Sequence, residues 1–188
     1  FNGINAGGAT TVNITNNTIG SASMANSINA LSASTSATAQ TIRGIIVNGG
    51  TTSTVTGNLI ANMNSNIAYS GTVAHTMVGI AITIGTSTVA DNTIRNLTSS
   101  SQSTSGGSTP SVIGISYTST TAPAVIRGNT IHTLKNTAST TTSGPVVSGI
   151  YYGGASGTAN LIERNTIHSL VLTSTTVSAA AAITGMEI

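Results

Sequence analysis

Few residues in this sequence have types that could do chemistry. The acids are Asp91, Glu163 and Glu187, the imidazoles His75, His132 and His168, and the bases Arg43, Arg95, Arg127, Lys135 and Arg164. Asp91, Arg127 and Glu163 follow one another at intervals of 36 residues, and so do His132 and His168, within Ile-His-Thr-Leu and Ile-His-Ser-Leu. Two carboxylates held at the right separation are the machinery of glycoside hydrolysis, whereas carboxylates beside an arginine form ordinary surface ion pairs. Two neutral imidazoles side by side can share a metal ion, or can simply stack. His75 stands in a loop-like stretch with no partner in sequence. With dozens of hydroxyls and three acids no Ser-His-acid order can be assigned, and no glycine-rich phosphate loop leads into a helix.

Intervals near 36 are a property of the whole chain. The pair Gly-Ile, or Gly-Met at the end, recurs at Gly3, Gly44, Gly79, Gly114, Gly149 and Gly185, spaced by 41, 35, 35, 35 and 36 residues. A unit of this length that cannot bury its own apolar face must stack on its neighbours, which predicts a repeat architecture. The units run 1–41, 42–76, 77–111, 112–146 and 147–182, with 183–188 starting another, in a single array. After each glycine comes Ile4, Ile45, Ile80, Ile115, Ile150 or Met186, a predicted core stack. Two places on stand Ala6, Val47, Ile82, Tyr117, Tyr152 and Ile188, the alternation of a half-buried strand. The glycine breaks that alternation, which predicts a bulge or a close backbone approach at the same point of every unit.

A turn follows, and then a second segment reading apolar-x-x-Asn-x-Ile around Asn17, Asn58, Asn92, Asn129 and Asn165. An asparagine at this place tolerates left-handed backbone at a bend, and its amide can hydrogen-bond to the same group one unit away, which predicts a ladder. Four units add a large apolar residue three places after the isoleucine, Met63, Leu97, Leu134 and Leu170. The first has Ala22 there, so its 41-residue interval places the extra residues between Ser21 and Gln40. Stretches such as Thr98–Thr109 and Thr137–Gly144 are rich in Ser, Thr and Gly and read as loops leaving the wall.

The Gly-Ile strand followed by Ile-x-x-Asn-x-Ile-x-x-Leu resembles the right-handed parallel β-helix repeat of pectate-lyase-like solenoids, above all the long arrays in exported surface proteins of Bacteroidetes-type bacteria. The resemblance spans essentially the whole chain. It implies an all-β, right-handed parallel β-helix of about five coils. It leaves function open, because that fold carries lyases, hydrolases, tailspikes, adhesins and passive stalks. The unit is also longer than a compact coil of about two dozen residues, and the hydroxyl-rich loops account for the excess.

In a stack, equivalent positions become neighbours about 4.8 Å apart, so chemistry is sought down columns. Arg127 then lies beside Glu163 with Asp91 in reach, and an inter-coil salt-bridge cluster is the expectation. The catalytic alternative sets Asp91 and Glu163 about 9 to 10 Å apart, near the upper limit for an inverting pair, but the neighbouring arginine opposes a proton-donor role. His132 and His168 share a column with Gly20, Ala61 and Arg95, which offers no third metal ligand. The column Thr18, Leu59, Thr93, Thr130, Thr166 is interrupted once and lacks the paired Thr-x-Thr register of an ice-binding face. Tyr117, Tyr151 and Tyr152 could form a sugar-binding platform or fill the wall between units. Sequons at Asn13, Asn16 and Asn96 arise readily in so Asn- and Thr-rich a chain.

Composition supports the same class. Ser and Thr make up about a third of the residues, 38% are hydrophobic and only 4% charged, with one Phe, four Tyr and no Trp. Five basic residues without a run or interleaved aromatics do not make a nucleic-acid footprint. The absence of cysteine excludes disulfides and thiol chemistry, and no apolar run reaches the roughly 18–20 residues of a membrane-spanning helix. The chain opens and closes inside a repeat, so an excerpt of a longer protein is expected. The expectation is a non-catalytic extracellular or cell-surface stalk, adhesin shaft or filament segment without cofactor or metal. Its partners are further coils or other copies at the ends, and surface glycans. The alternative is the scaffold of a polysaccharide lyase or hydrolase, or a carbohydrate-binding β-helix.

Overall fold

The computed structural model describes residues 1–8, 10–32, 40–67, 75–101, 110–138, 140–141, 146–157, 159–173, 176–177 and 183–188. These residues form an all-β parallel solenoid without a helix, and every strand pairing among them is parallel. The first sheet orders β1 (Asn2–Ala6), β5 (Thr41–Val47), β8 (Thr76–Ile82), β11 (Val112–Tyr117), β15 (Val147–Tyr152) and β19 (Ile183–Glu187). The second orders β2 (Thr11–Thr15), β6 (Thr52–Thr56), β9 (Thr86–Ala90), β12 (Ala124–Arg127) and β16 (Leu161–Glu163). The third contains β3 (Thr18–Gly20), β7 (Leu59–Ile67), β10 (Thr93–Ser99), β13 (Thr130–Asn136) and β17 (Thr166–Leu172), and β4 (Ile28–Ser32) also pairs with β7. A small fourth sheet joins β14 (Thr140–Thr141) to β18 (Thr176–Val177). The remaining loop stretches at 102–109 and 142–145 lie outside the described residues.

The core is a set of columns. Ile45, Ile80, Ile115 and Ile150 are fully buried, while Ile4 is half-buried and Met186 is 38% exposed because each lies on an edge strand. The isoleucine of the Asn-x-Ile motif faces them from the third sheet, with Ile60, Ile94 and Ile131 fully buried. The two motifs meet at the glycine. A Cβ on Gly79 would lie 2.6 Å from the Gly114 carbonyl oxygen and 2.7 Å from Ile94 Cγ2, and Gly44, Gly114 and Gly149 are equally crowded. The glycine therefore answers to close approach, with its own backbone outside the left-handed region. The registers omit the glycine on both strands alike, pairing Arg43 with Val78 and then Ile45 with Ile80, so no residue is inserted and of the two expectations the close approach is met and the bulge is not.

Two features depart from the sequence reading. The first unit does not leave the leucine position to Ala22: Ile28, eleven positions after Asn17 rather than five, pairs with Met63 and fills it. Residues between Gly20 (φ 82°) and Ile28 form an inserted turn, which explains the six extra residues of the first interval. Ser21 N–H donates to Ser27 Oγ at 2.8 Å, Asn62 Nδ2 donates to the Ser21 carbonyl at 2.7 Å and Arg95 Nη2 donates to the Ala22 carbonyl at 2.6 Å, which ties the insertion to later units. The second departure concerns the outward side of the first sheet. There Ile46, Val78, Ala81 and Ile113 are buried as a separate cluster with Tyr151 against it, because apolar side chains stack down those columns.

Candidate functional site

The second sheet passes into the third at a corner made by one residue with left-handed backbone: Asn16 (φ 55°), Gly57 (68°), Asp91 (55°), Gly128 (64°) and Arg164 (53°). The left-handed geometry thus falls on the residue before each ladder asparagine and not on the asparagine itself. That leaves the five amides free to point along the stack. Asn17, Asn58, Asn92 and Asn129 each donate from Nδ2 to Oδ1 of the next, at 3.0, 3.0, 2.9 and 2.9 Å. Their backbone N–H groups donate to the same oxygens at 2.9 to 3.1 Å. The second Nδ2 hydrogen of Asn58, Asn92, Asn129 and Asn165 reaches back to the carbonyls of Ile14, Val55, Val89 and Ile126, each at 2.9 Å. Asn58, Asn92 and Asn129 are no more than 1% exposed, so this network satisfies polar groups that water cannot reach.

Charge gathers on the outside of the same corner. Asp91, Arg127, Glu163 and Arg164 are half of the eight charged side chains of the protein. Arg127 is in register with Ala90 and Glu163, as the column predicts. The predicted salt bridge of Arg127 with Glu163 and Asp91 is nevertheless absent among the described residues. Glu163 Oε1 instead pairs with Arg164 Nη2 at 2.7 Å, because the left-handed turn at Arg164 folds its guanidinium back onto the preceding residue. Arg164 is 73% exposed at its side chain, so the pair contributes about 0.2–1 kcal/mol. Asp91 lies over Gly128, where a Cβ would collide with its carboxylate. Asp91, Arg127, Gly128 and Arg164 line an open pocket of about 290 Å³. Glu163 is not part of that lining, so the pocket does not set two carboxylates across a bond to be cleaved.

The histidine column forms as its spacing suggests. Arg95, His132 and His168 are in register, and the two imidazoles stack with centroids 4.8 Å apart and planes 2° from parallel. Each Nδ1 lies 2.9 Å from the hydroxyl of the next residue, Thr133 or Ser169, both of which have left-handed backbone (φ 56° and 55°). Burial, the His168 ring and Arg95 together hold the His132 imidazole below its ordinary value of 6.5. The rings lie within 2° of parallel, so their nitrogen lone pairs run side by side and do not converge on one metal ion as the rings stand. Among the described residues no three His, Cys, Asp or Glu side chains group together.

His75 and the tyrosines differ from expectation. His75 is buried at 2% exposure, and its Nδ1 accepts from the Gln40 N–H at 3.0 Å while the backbone N–H of His75 donates to Ser101 Oγ; burial lowers the imidazole pKa. Tyr117 and Tyr152 are interior, their rings 5.4 Å apart and tilted by 31°, with burial raising the pKa of both phenols. Tyr152 donates from its hydroxyl to the Ala155 carbonyl at 2.8 Å. They fill the wall, and of the three only Tyr151 faces outward.

One surface escaped the sequence reading. On the second sheet Thr11 and Thr15, Thr52, Thr54 and Thr56, and Thr86 and Thr88 project outward from three adjacent strands in register, with Asn13 and Ala90 completing the grid. The signal was the Thr-x-Thr alternation of Thr52, Thr54 and Thr56 and of Thr86 and Thr88 ahead of the second and third ladder asparagines, which alignment on the column after the asparagine passes over. Part of this face, with Pro123 and Val125, borders a groove of about 220 Å³. Comparison of the chain with protein-family profiles, with curated proteins and with solved structures returned no match.

Proposed function

We propose that this chain is a non-catalytic structural segment of an extracellular or cell-surface protein, a right-handed parallel β-helix of five coils serving as stalk, adhesin shaft or filament wall. The observation that carries this reading is the asparagine ladder, which runs without interruption from Asn17 to Asn165 beside continuous apolar columns. Interactions of this kind hold a unit to its neighbours and make stability a sum of unit and interface contributions, which suits a rod whose task is length and stiffness. Further coils or other copies are its partners at the ends, where edge strands offer unpaired backbone groups. Electron microscopy of the native assembly tests the reading: rods or filaments are expected, and an isolated compact particle overturns it.

The competing reading, a polysaccharide lyase or hydrolase scaffold, draws on the pocket beside Asp91, Arg127 and Arg164. It requires a polysaccharide-degrading activity that disappears when Asp91→Asn and Glu163→Gln are combined. A glycan array probes the carbohydrate-binding version, for which half-buried Tyr151 and the threonine face are the available surfaces.

A further inference from the structure

We propose that the His132–His168 stack is a pH-sensitive latch, which holds β17 onto β13 while both imidazoles are neutral and releases it on acidification. The inference does not depend on the stalk reading. It starts from the geometry: two rings 4.8 Å apart and within 2° of parallel, held in the same orientation by matching contacts of Nδ1 to Thr133 and Ser169. Those hydroxyls are placed by the same left-handed turn in each strand, so the rings are fixed by the backbone as well as by each other. Face-to-face contact suits neutral imidazoles. Two imidazolium ions in that position repel, and even at the dielectric constant of water the repulsion at 4.8 Å corresponds to about a four-fold change in an opening equilibrium.

The surroundings add positive charge and no compensation. On β10 the register neighbour of His132 is Arg95, on β17 it is His168, and Lys135 lies three residues further along β13. None of β10, β13 and β17 carries an acid. Of the strands packed across the interior, β11 and β15 bring Tyr117 and Tyr152, which point inward, while Tyr151 and Glu187 of β15 and β19 share an outward column of the first sheet. The direction of the His132 shift agrees. With a folded-state value below 6.5, the unfolded strand takes up its proton first, so the latch is complete above about pH 6.5 and is lost as the pH falls toward the folded value.

Hydrogen exchange of the amides of residues 166–172 between pH 7.5 and pH 5, corrected for intrinsic exchange rates, tests the latch. In the unaltered protein the opening equilibrium is expected to rise at least about four-fold over this range. In His132→Gln/His168→Gln it should stay flat. An equal rise in both proteins overturns the proposal. A second measurement on the unaltered protein guards against a double variant that fails to fold: the His132 imidazole C–H resonances should titrate below the ordinary value of 6.5. Titration of the His132 ring at the ordinary value overturns it as well.

Discussion

Replacing Asn92 by alanine removes the central rung of the ladder, and its cost can be worked out group by group. The Asn92 Oδ1 accepts from the backbone N–H and from Nδ2 of Asn58, and its Nδ2 donates to the Val55 carbonyl and to Asn129 Oδ1. Truncation leaves the buried Asn58 N–H without its partner and removes one hydrogen bond each from the Val55 carbonyl and from the Asn58 amide, which keeps the Ile14 and Thr56 carbonyls at 2.9 and 3.2 Å. Asn129 Oδ1 still accepts from the backbone N–H of residue 92 at 3.1 Å. A buried group left without a partner costs about 1–3 kcal/mol and each of the two further hydrogen bonds lost about 0.5–1.5 kcal/mol, so a loss of about 2–6 kcal/mol is expected, at the low end where water enters the space. Asn17→Ala is the internal control. Asn17 is half-buried at an edge, its side chain accepts no hydrogen bond from another unit among the described residues, and its own N–H continues to satisfy Asn58 Oδ1, so about 1 kcal/mol is expected. Urea unfolding followed by circular dichroism measures the difference, with hydrogen exchange reporting whether the loss is confined to the neighbouring units, as stacked repeats allow. A loss below 1 kcal/mol for Asn92→Ala, or one no larger than for Asn17→Ala, would refute the view that the ladder is a main source of cohesion.

Other consequences are quicker to check. Gly79→Ala should lower stability by about 1–3 kcal/mol, because its Cβ meets the Gly114 carbonyl and Ile94, whereas Gly185→Ala, with nothing within 4 Å, should be nearly neutral in the same denaturation assay. Ile28→Ala should cost about 2 kcal/mol or more if Ile28 fills the leucine column, while Ala22→Gly should change the midpoint little. Arg164→Ala should shift stability by less than about 1 kcal/mol, and raised salt should erase even that difference. Arg95→Ala should speed amide exchange in residues 21–27 without affecting β13, since its bond to Ala22 spans two units.

Columns were legible wherever the motif spacing was constant. Ile45 to Ile150, the five asparagines and the histidine pair all fall in register because each unit repeats the same path. The first unit was misread because its insertion lies inside the motif, between Gly20 and Ile28, so counting from Asn17 landed on Ala22. The ion pair was misread for a different reason. Register places Arg127 beside Glu163, but a flexible exposed side chain chooses among neighbours by local backbone direction, and the left-handed turn brings Arg164 closer.

By itself the sequence determined that this chain stacks: a Gly-Ile period, an Asn-x-Ile companion and small branched side chains admit little but a parallel solenoid, since no unit can bury its apolar face alone. Only the tertiary structure decided which residues turn the corners, why glycine must sit opposite the Asn-x-Ile isoleucine, and which charged groups meet. Those outcomes depend on distances between units and on the sign of φ at single residues, quantities that a one-dimensional pattern does not contain.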